Sequence, residues 1–424
     1  MQTPVTVLCG ELGAGKTTLL STLLESTDRE IAVLVNDVGS VNVDADLVEA
    51  RTDLETGEEV LALENGCICC SLGGELTRAV VQLQREHDFD QLVIEASGVG
   101  EPEPIARQFV RGPAAAPYDL EAVVTVVDAR RFYDRFADAD PETGPTQQGP
   151  DESGSRPIAD LVLEQVEFCD LLVVNKCDLV SNDERETALA ILETLQPHAE
   201  VITTEYGAVD PDGLFGHQRF DLEAATDAAG WKRTLEDEEE HDHDGHSHDD
   251  HDHSDHGDHS HDHSEHDHDD HVHPPERYGI VVDSYHRRRP FHPERFVAFL
   301  EDPPEGLIRA KGLCWVAGRN RQAITASFAG GQTTLEVTGR WIASFDADRQ
   351  ELYRKGQPDI EWDETWGDRE IRLALIGRQL DIEALEKRLD DCLLTDTEMD
   401  ADWESFENPT PTGMGETTTV SGND

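Results

Sequence analysis

Short apolar runs recur along the first half of the chain, at 5–8, 31–35, 92–94, 122–127, 171–174 and 200–203. Between them the apolar positions fall at helical spacing, over 17–25, 74–86, 158–168 and 184–195. Strands that are apolar on both faces must be covered on both faces. Their alternation with amphipathic helices predicts an α/β domain with a mostly parallel sheet, over residues 1–225. A second block, 276–400, carries strand-like runs at 278–285, 308–316, 323–328, 333–337 and 371–376, with helical patterns at 293–300 and 382–392. It predicts a smaller α+β domain. Three stretches lack either period. Residues 138–157 have no large apolar side chain and suit a surface insertion. Residues 226–275 suit a disordered linker, and 401–424, rich in Thr, Pro and Gly, a flexible tail.

The charge changes the picture. The 424 residues include 91 acidic and 34 basic side chains, a formal charge of −57. The linker alone does not account for this, because removing residues 236–273 still leaves −40. A surface so negative repels nucleic acid and anionic membrane, so neither is an expected partner. Dense carboxylates suit a protein kept soluble at very high internal salt. No apolar run approaches the roughly 20 residues that cross a bilayer, and the N-terminus runs straight into a strand pattern. The expectation is a cytoplasmic protein whose eight cysteines are reduced.

Two motifs point to a nucleotide. The segment Gly10-Glu11-Leu12-Gly13-Ala14-Gly15-Lys16-Thr17 follows the first strand pattern and opens the first helix pattern. That is the context of a phosphate-binding loop. Backbone amides of Gly10, Gly13, Ala14, Gly15 and Thr18 would wrap the phosphates at a helix N-terminus. Lys16 would reach the β- and γ-phosphates, and the Thr17 hydroxyl would ligate Mg²⁺. Asn175-Lys176-Cys177-Asp178 ends the fifth strand pattern. Guanine presents two adjacent donors that the Asp178 carboxylate can accept and adenine cannot offer. Asn175 can bond the other edge, and the Lys176 stem can lie over the ring. GTP is therefore the expected nucleotide. Glu95, at the end of another strand pattern, suits the Mg²⁺ side, as ligand, water holder or catalytic group beside Lys16. Asp37, in Asn36-Asp37-Val38-Gly39, suits a switch near the Mg²⁺ or a second metal.

The remaining chemistry is metal binding. Cys67, Cys69 and Cys70 place three thiols within four residues, after Gly66. As thiolates they suit Zn²⁺, or Co²⁺ in similar geometry, with a fourth position open for exchange. Cys9, Cys169, Cys177, Cys314 and Cys392 are isolated and suit packing. Residues 241–273 hold 14 of the 19 histidines, beginning with His241, His243, His246 and His248 and interleaved with carboxylates. Such a tract offers many weak, unselective metal sites, as a reservoir or capture arm.

Taken together these residues resemble the CobW-type metallochaperone GTPases. The likeness runs over both domains, through GELGAGKTT, NGCICC, IEASGVGEP, VVDARRF, NKCD, RRRPFHPERF and RAKGLCW. It implies a GTPase fold, Mg²⁺ use and delivery of zinc or cobalt to a metal-requiring client protein, and it leaves room for a homodimer. It places the metal thiols on Cys67, Cys69 and Cys70, the P-loop lysine on Lys16, and base reading on Asn175 and Asp178. The sequence departs from the family at Ser40, where a Glu is common, and at Glu11, where a Phe is common. Three alternatives stand beside this reading: a metal buffer whose nucleotide site is structural, cobalt delivery for cobalamin synthesis, and a nickel-enzyme maturation GTPase. The last is disfavoured by the α+β domain that follows the histidine tract.

Overall fold

The computed structural model describes residues 2–35, 60–62, 68–98, 100–137, 157–222, 277–357 and 360–422, with isolated positions between 225 and 235. The expected insertion at 138–157, apart from Pro157, and the histidine tract lie outside the described residues, as do Asp37 and Cys67.

The first domain is built on seven parallel strands: β1 (Thr3–Cys9), β2 (Ile31–Val35), β3 (Val60–Ala62), β4 (Gln91–Glu95), β5 (Tyr118–Asp128), β6 (Leu171–Asn175) and β7 (Glu200–Thr203). Their order is β3-β2-β4-β1-β5-β6-β7. The chain winds first to one side of β1 and then to the other. That reversal opens a crevice at the carboxyl ends beside β1, where doubly wound sheets bind ligands. Strands β2, β4 and β6 are buried at every position, which is why their sequences are apolar without alternation. The longer helices among the described residues are α1 (Lys16–Ser26), α2 (Ile68–Glu86), α3 (Pro102–Val110), α4 (Ala129–Phe136), α5 (Ile158–Glu167) and α6 (Asn182–Leu195). On one face Leu19, Leu20 and Leu23 of α1 pack on Leu8, Val33, Val93 and Val124. On the other, Val80, Ile105, Phe132, Leu163 and Ile191 cover Val7, Ile94, Val123 and Val174.

The second domain is a six-stranded antiparallel sheet: β8 (Ile280–Arg287), β9 (Leu307–Cys314), β10 (Gln322–Ala329), β11 (Gln332–Arg340), β12 (Ile371–Arg378) and β13 (Thr417–Ser421), in the order β13-β11-β10-β9-β12-β8. Helices α7 (Pro293–Leu300), α8 (Ala347–Gly356) and α9 (Ile382–Cys392) accompany it. Phe296, Leu300, Leu385 and Leu389 share a core with Leu335, Leu373 and Leu375. The end of the chain departs from the expected flexible tail. Thr417 to Ser421 pair with β11 as an edge strand, and Arg319 donates to the carbonyls of Asn408, Thr410 and Pro411. A run of threonines suits a strand that packs on one face, so the low hydrophobicity concealed it.

The domains meet across α5. Ile280, Ile308, Ala329 and Ile376 of the second sheet join the first domain's core. At the centre Arg309, fully buried on β9, holds Glu167 through Nε at 2.7 Å and Nη2 at 2.9 Å, and Asp160 through Nη1 at 2.7 Å. Ser327 Oγ donates to the same Asp160 oxygen at 2.6 Å. Two charged acceptors on one helix thus face a fork of donors, the geometry a buried guanidinium requires. Among the described residues no helix is long and apolar enough to cross a membrane.

Candidate functional site

The loop between β1 and α1 carries Gly10, Gly13 and Gly15 at positive φ, with Gly15 at 109° leading directly into the first helical turn. A Cβ on Gly15 would stand 2.3 Å from Asn175 Nδ2, so only glycine lets the loop lie against the end of β6. Helix α1 has no acidic residue in its first turn, which leaves the positive end of its dipole uncompensated. Lys16 is buried and folds back along the loop, its Nζ donating to the carbonyl of Gly10 at 2.8 Å and of Glu11 at 3.3 Å. Thr17 Oγ1 donates to Glu95 Oε1 at 3.2 Å, joining the first helical turn to the end of β4. Thr18 lies in the same turn, against Gly207. Beyond Glu95, Gly98 passes so close to the loop that a Cβ there would lie 2.6 Å from Leu12 N.

The NKCD segment is tied to the same loop. Asn175 is buried; its Nδ2 donates to Ala14 O at 3.0 Å and its Oδ1 accepts from Gly207 N at 3.0 Å. Within the protein, therefore, this side chain braces the phosphate loop against the segment after β7. Lys176, at φ 60°, lays its ammonium between Gly13 O at 2.6 Å and Asp128 Oδ2 at 2.8 Å. Its stem is thereby stretched across the mouth of the crevice. Asp178 is exposed, and its negative charge beside the Tyr206 hydroxyl raises the proton affinity of Tyr206 above that of an ordinary phenol.

Several of these partners were not singled out from the sequence. Asp128 caps α4 through the amides of Arg130 and Arg131 while its other oxygen holds Lys176. Its signal was present: an Asp ending an apolar strand and opening a helix. Arg131 donates to Leu12 O at 2.7 Å. Glu11, the departure from the family's usual Phe, is buried and its Oε2 receives Arg135 Nη2 at 3.0 Å. Tyr206 and Gly207 follow a half-exposed strand and carry no motif.

The thiols divide differently. Cys69 and Cys70 lie in the first turn of α2, whose side chains there are not among those described, and Cys67 precedes it outside the described residues. His241, His243, His246 and His248 also lie outside. The isolated cysteines are all buried. Burial pushes the Cys9 thiol up to about 12 and the Cys392 thiol to about 11, and raises Cys169, Cys177 and Cys314 as well. They remain protonated and unreactive.

Comparison with known proteins fits this architecture. Residues 4–203 match the CobW/HypB/UreG nucleotide-binding domain, and 280–393 match the cobalamin synthesis protein cobW C-terminal domain. Zinc-regulated GTPase metalloprotein activator 1 of Dictyostelium discoideum is 31% identical over 423 residues, covering 93% of this chain and 81% of that protein. The Schizosaccharomyces pombe protein of the same name is 32% identical, over 49% of this chain and 47% of that one. The zinc chaperone CobW of a Sinorhizobium species is 34% identical, over 42% of this chain and 51% of its own. The chain thus belongs to the CobW family of P-loop GTPases, with both of the family's domains present.

Proposed function

We propose that this protein is a GTP-hydrolysing metallochaperone that binds Zn²⁺, or Co²⁺, through Cys67, Cys69 and Cys70 and releases it to a client protein under nucleotide control. One observation carries the reading. All seven strands of the first sheet are parallel, so the carboxyl ends of β1, β3, β4 and β6 share one edge. The phosphate loop leaves from β1, Glu95 ends β4, the guanine motif ends β6, and the chain from β3 into the thiol run of α2 leaves from that same edge. The described elements on either side of the thiol run thus share a sheet edge with the phosphate loop, which supports a link between the two. Relatives named for zinc support zinc as cargo.

The residues assign themselves roles on chemistry. Lys16 leaves its loop carbonyls for phosphate oxygens. Asp178 accepts the two donors of guanine, while Asn175 and Lys176 hold the base-side wall to the loop. Glu95 orients the attacking water or holds it through Thr17. Mg²⁺ fits this place, because Thr17 Oγ1 and Glu95 Oε1 are hard oxygen donors 3.2 Å apart, and it would neutralise phosphate charge there. Metal control by nucleotide requires that the thiol loop make different contacts in the two nucleotide states.

Single-turnover hydrolysis measured with and without Zn²⁺ tests this. GTP is turned over, ATP is not, and the GTP rate responds to Zn²⁺. A protein that binds zinc but shows no hydrolysis, or a rate indifferent to zinc, is a metal buffer with a structural nucleotide.

A further inference from the structure

A histidine and two carboxylates converge on the second domain. His286 is the penultimate residue of β8, Glu370 stands just before β12, and Glu361 follows α8. His286 Nε2 lies 3.0 Å from Glu370 Oε2, and one ligand atom from each of His286, Glu361 and Glu370 lies within 4.8 Å of the others. The ligands of a tetrahedral zinc ion, each about 2.0–2.1 Å from it, stand roughly 3.3 Å apart. Small side-chain rotations would close the set, and the cluster opens to solvent at Glu361.

A cation already sits among these groups. The guanidinium of Arg288 contacts Glu361, and its Nη2 lies 3.8 Å from Glu370 Oε2. A metal ion entering the cluster has to displace Arg288, so the site would be weak and exchangeable. The second observation concerns what lies beside it. Arg372 pairs with His286 across β8 and β12, and its Nη2 donates to the carbonyl of Leu235 at 2.6 Å. Cross-strand partners point to the same face of a sheet. Leu235 immediately precedes residues 236–273, the stretch with 14 histidines. The residue that leads into the tract is therefore held beside the cluster.

We propose that His286, Glu361 and Glu370 form a transition-metal site on the second domain, guarded by Arg288, that exchanges divalent ions with the histidine tract. Its use in the cell rests on the metallochaperone reading; its existence does not. In this arrangement the tract gathers ions without discrimination, and the cluster holds one at a defined place on the folded surface.

Labelling of histidines by diethyl pyrocarbonate, read peptide by peptide by mass spectrometry on the full chain, separates His286 from the tract. Zn²⁺ lowers labelling of His286 several-fold. Glu361→Gln, a substitution at an exposed side chain, removes that protection while the tract remains protected. Arg288→Gln lowers the Zn²⁺ concentration for half-protection roughly tenfold, as removal of a positive charge a few ångströms from the ion would. Labelling of His286 indifferent to Zn²⁺ while the tract is protected overturns the site and leaves the proposed function standing. Protection that survives Glu361→Gln also overturns it, because the three residues then do not act as one site. If Zn²⁺ protects neither His286 nor the tract, the site fails, and the reservoir role of the tract fails with it.

Discussion

Replacing Arg309 by Met keeps much of the side-chain volume at the domain junction and removes its charge and five donors. Arg309 and Asp160 are fully buried and Glu167 nearly so. The substitution leaves Asp160 with Ser327, and Glu167 with Lys311 Nζ at 3.4 Å. Removing one partner of a buried ion pair costs about 3–5 kcal/mol, because the remaining charge stays desolvated. The contact to Lys311 places the expected loss near the lower end, at about 3 kcal/mol. With a urea dependence of about 1.5–3 kcal/mol per molar, the unfolding midpoint falls by about 1–2 M. Five of the six tryptophans lie in the second domain, so their fluorescence follows its unfolding. A buried cluster is poorly screened, so the loss persists at high salt, unlike that of a surface pair. Adding Asp160→Asn and Glu167→Gln to Arg309→Met recovers most of it. A midpoint unchanged by Arg309→Met, or losses that simply add across the three positions, refutes the assignment of Arg309 as the bond between the domains.

Three further outcomes are expected. Lys16→Ala abolishes GTP hydrolysis with little change in the unfolding midpoint, since the ammonium bonds the loop carbonyls of Gly10 and Glu11 rather than packing in the apolar core; turnover within a few-fold of the parent removes the loop from the reaction. Deleting residues 236–273 removes several weak metal sites in a zinc titration and leaves hydrolysis intact, whereas loss of GTP binding makes the tract structural. Asp170, whose carboxyl accepts from Val123 N, is pushed up to about 7 by burial. A carboxyl that holds its proton better folded than unfolded contributes stability at low pH that is lost as pH rises from about 4 to about 7, up to roughly 4 kcal/mol. Asp170→Asn, followed by urea unfolding across that range, should flatten the slope, and an unaltered slope assigns it to other groups.

Six of the seven strands of the first domain were legible because burial on both faces forces unbroken apolar sequence, as in Leu171 to Val174; β3, only three residues long, was not singled out. The phosphate loop and NKCD were legible because their chemistry tolerates few residue types. Helix α4 was not. Half of its sequence ARRFYDRF is charged, and its buried residues are Ala129, Phe132 and Phe136, while the arginines serve the loop and its neighbours. The junction was not legible either, since Arg309 and Asp160 are 149 residues apart and each alone resembles a surface charge. Glu11 was visible as an anomaly, but its partner Arg135 emerges only when α4 is laid against the loop. Strand β13 was hidden by its threonines, which suggest a tail until β11 offers them an edge.

The central claim is that a thiolate metal site answers to the nucleotide. Co²⁺ absorption in the protein lacking residues 236–273 tests it most directly, with GDP exchanged for a non-hydrolysable GTP analogue. The account predicts thiolate-to-cobalt charge-transfer and tetrahedral d–d bands that weaken in Cys67→Ser, Cys69→Ser and Cys70→Ser and shift between the two nucleotides. Because thiols of pKa about 8.5 must lose protons to bind, the bands also fade as pH drops from about 8 to about 6. Bands that ignore the nucleotide contradict the control, and the absence of thiolate bands contradicts the metal site itself.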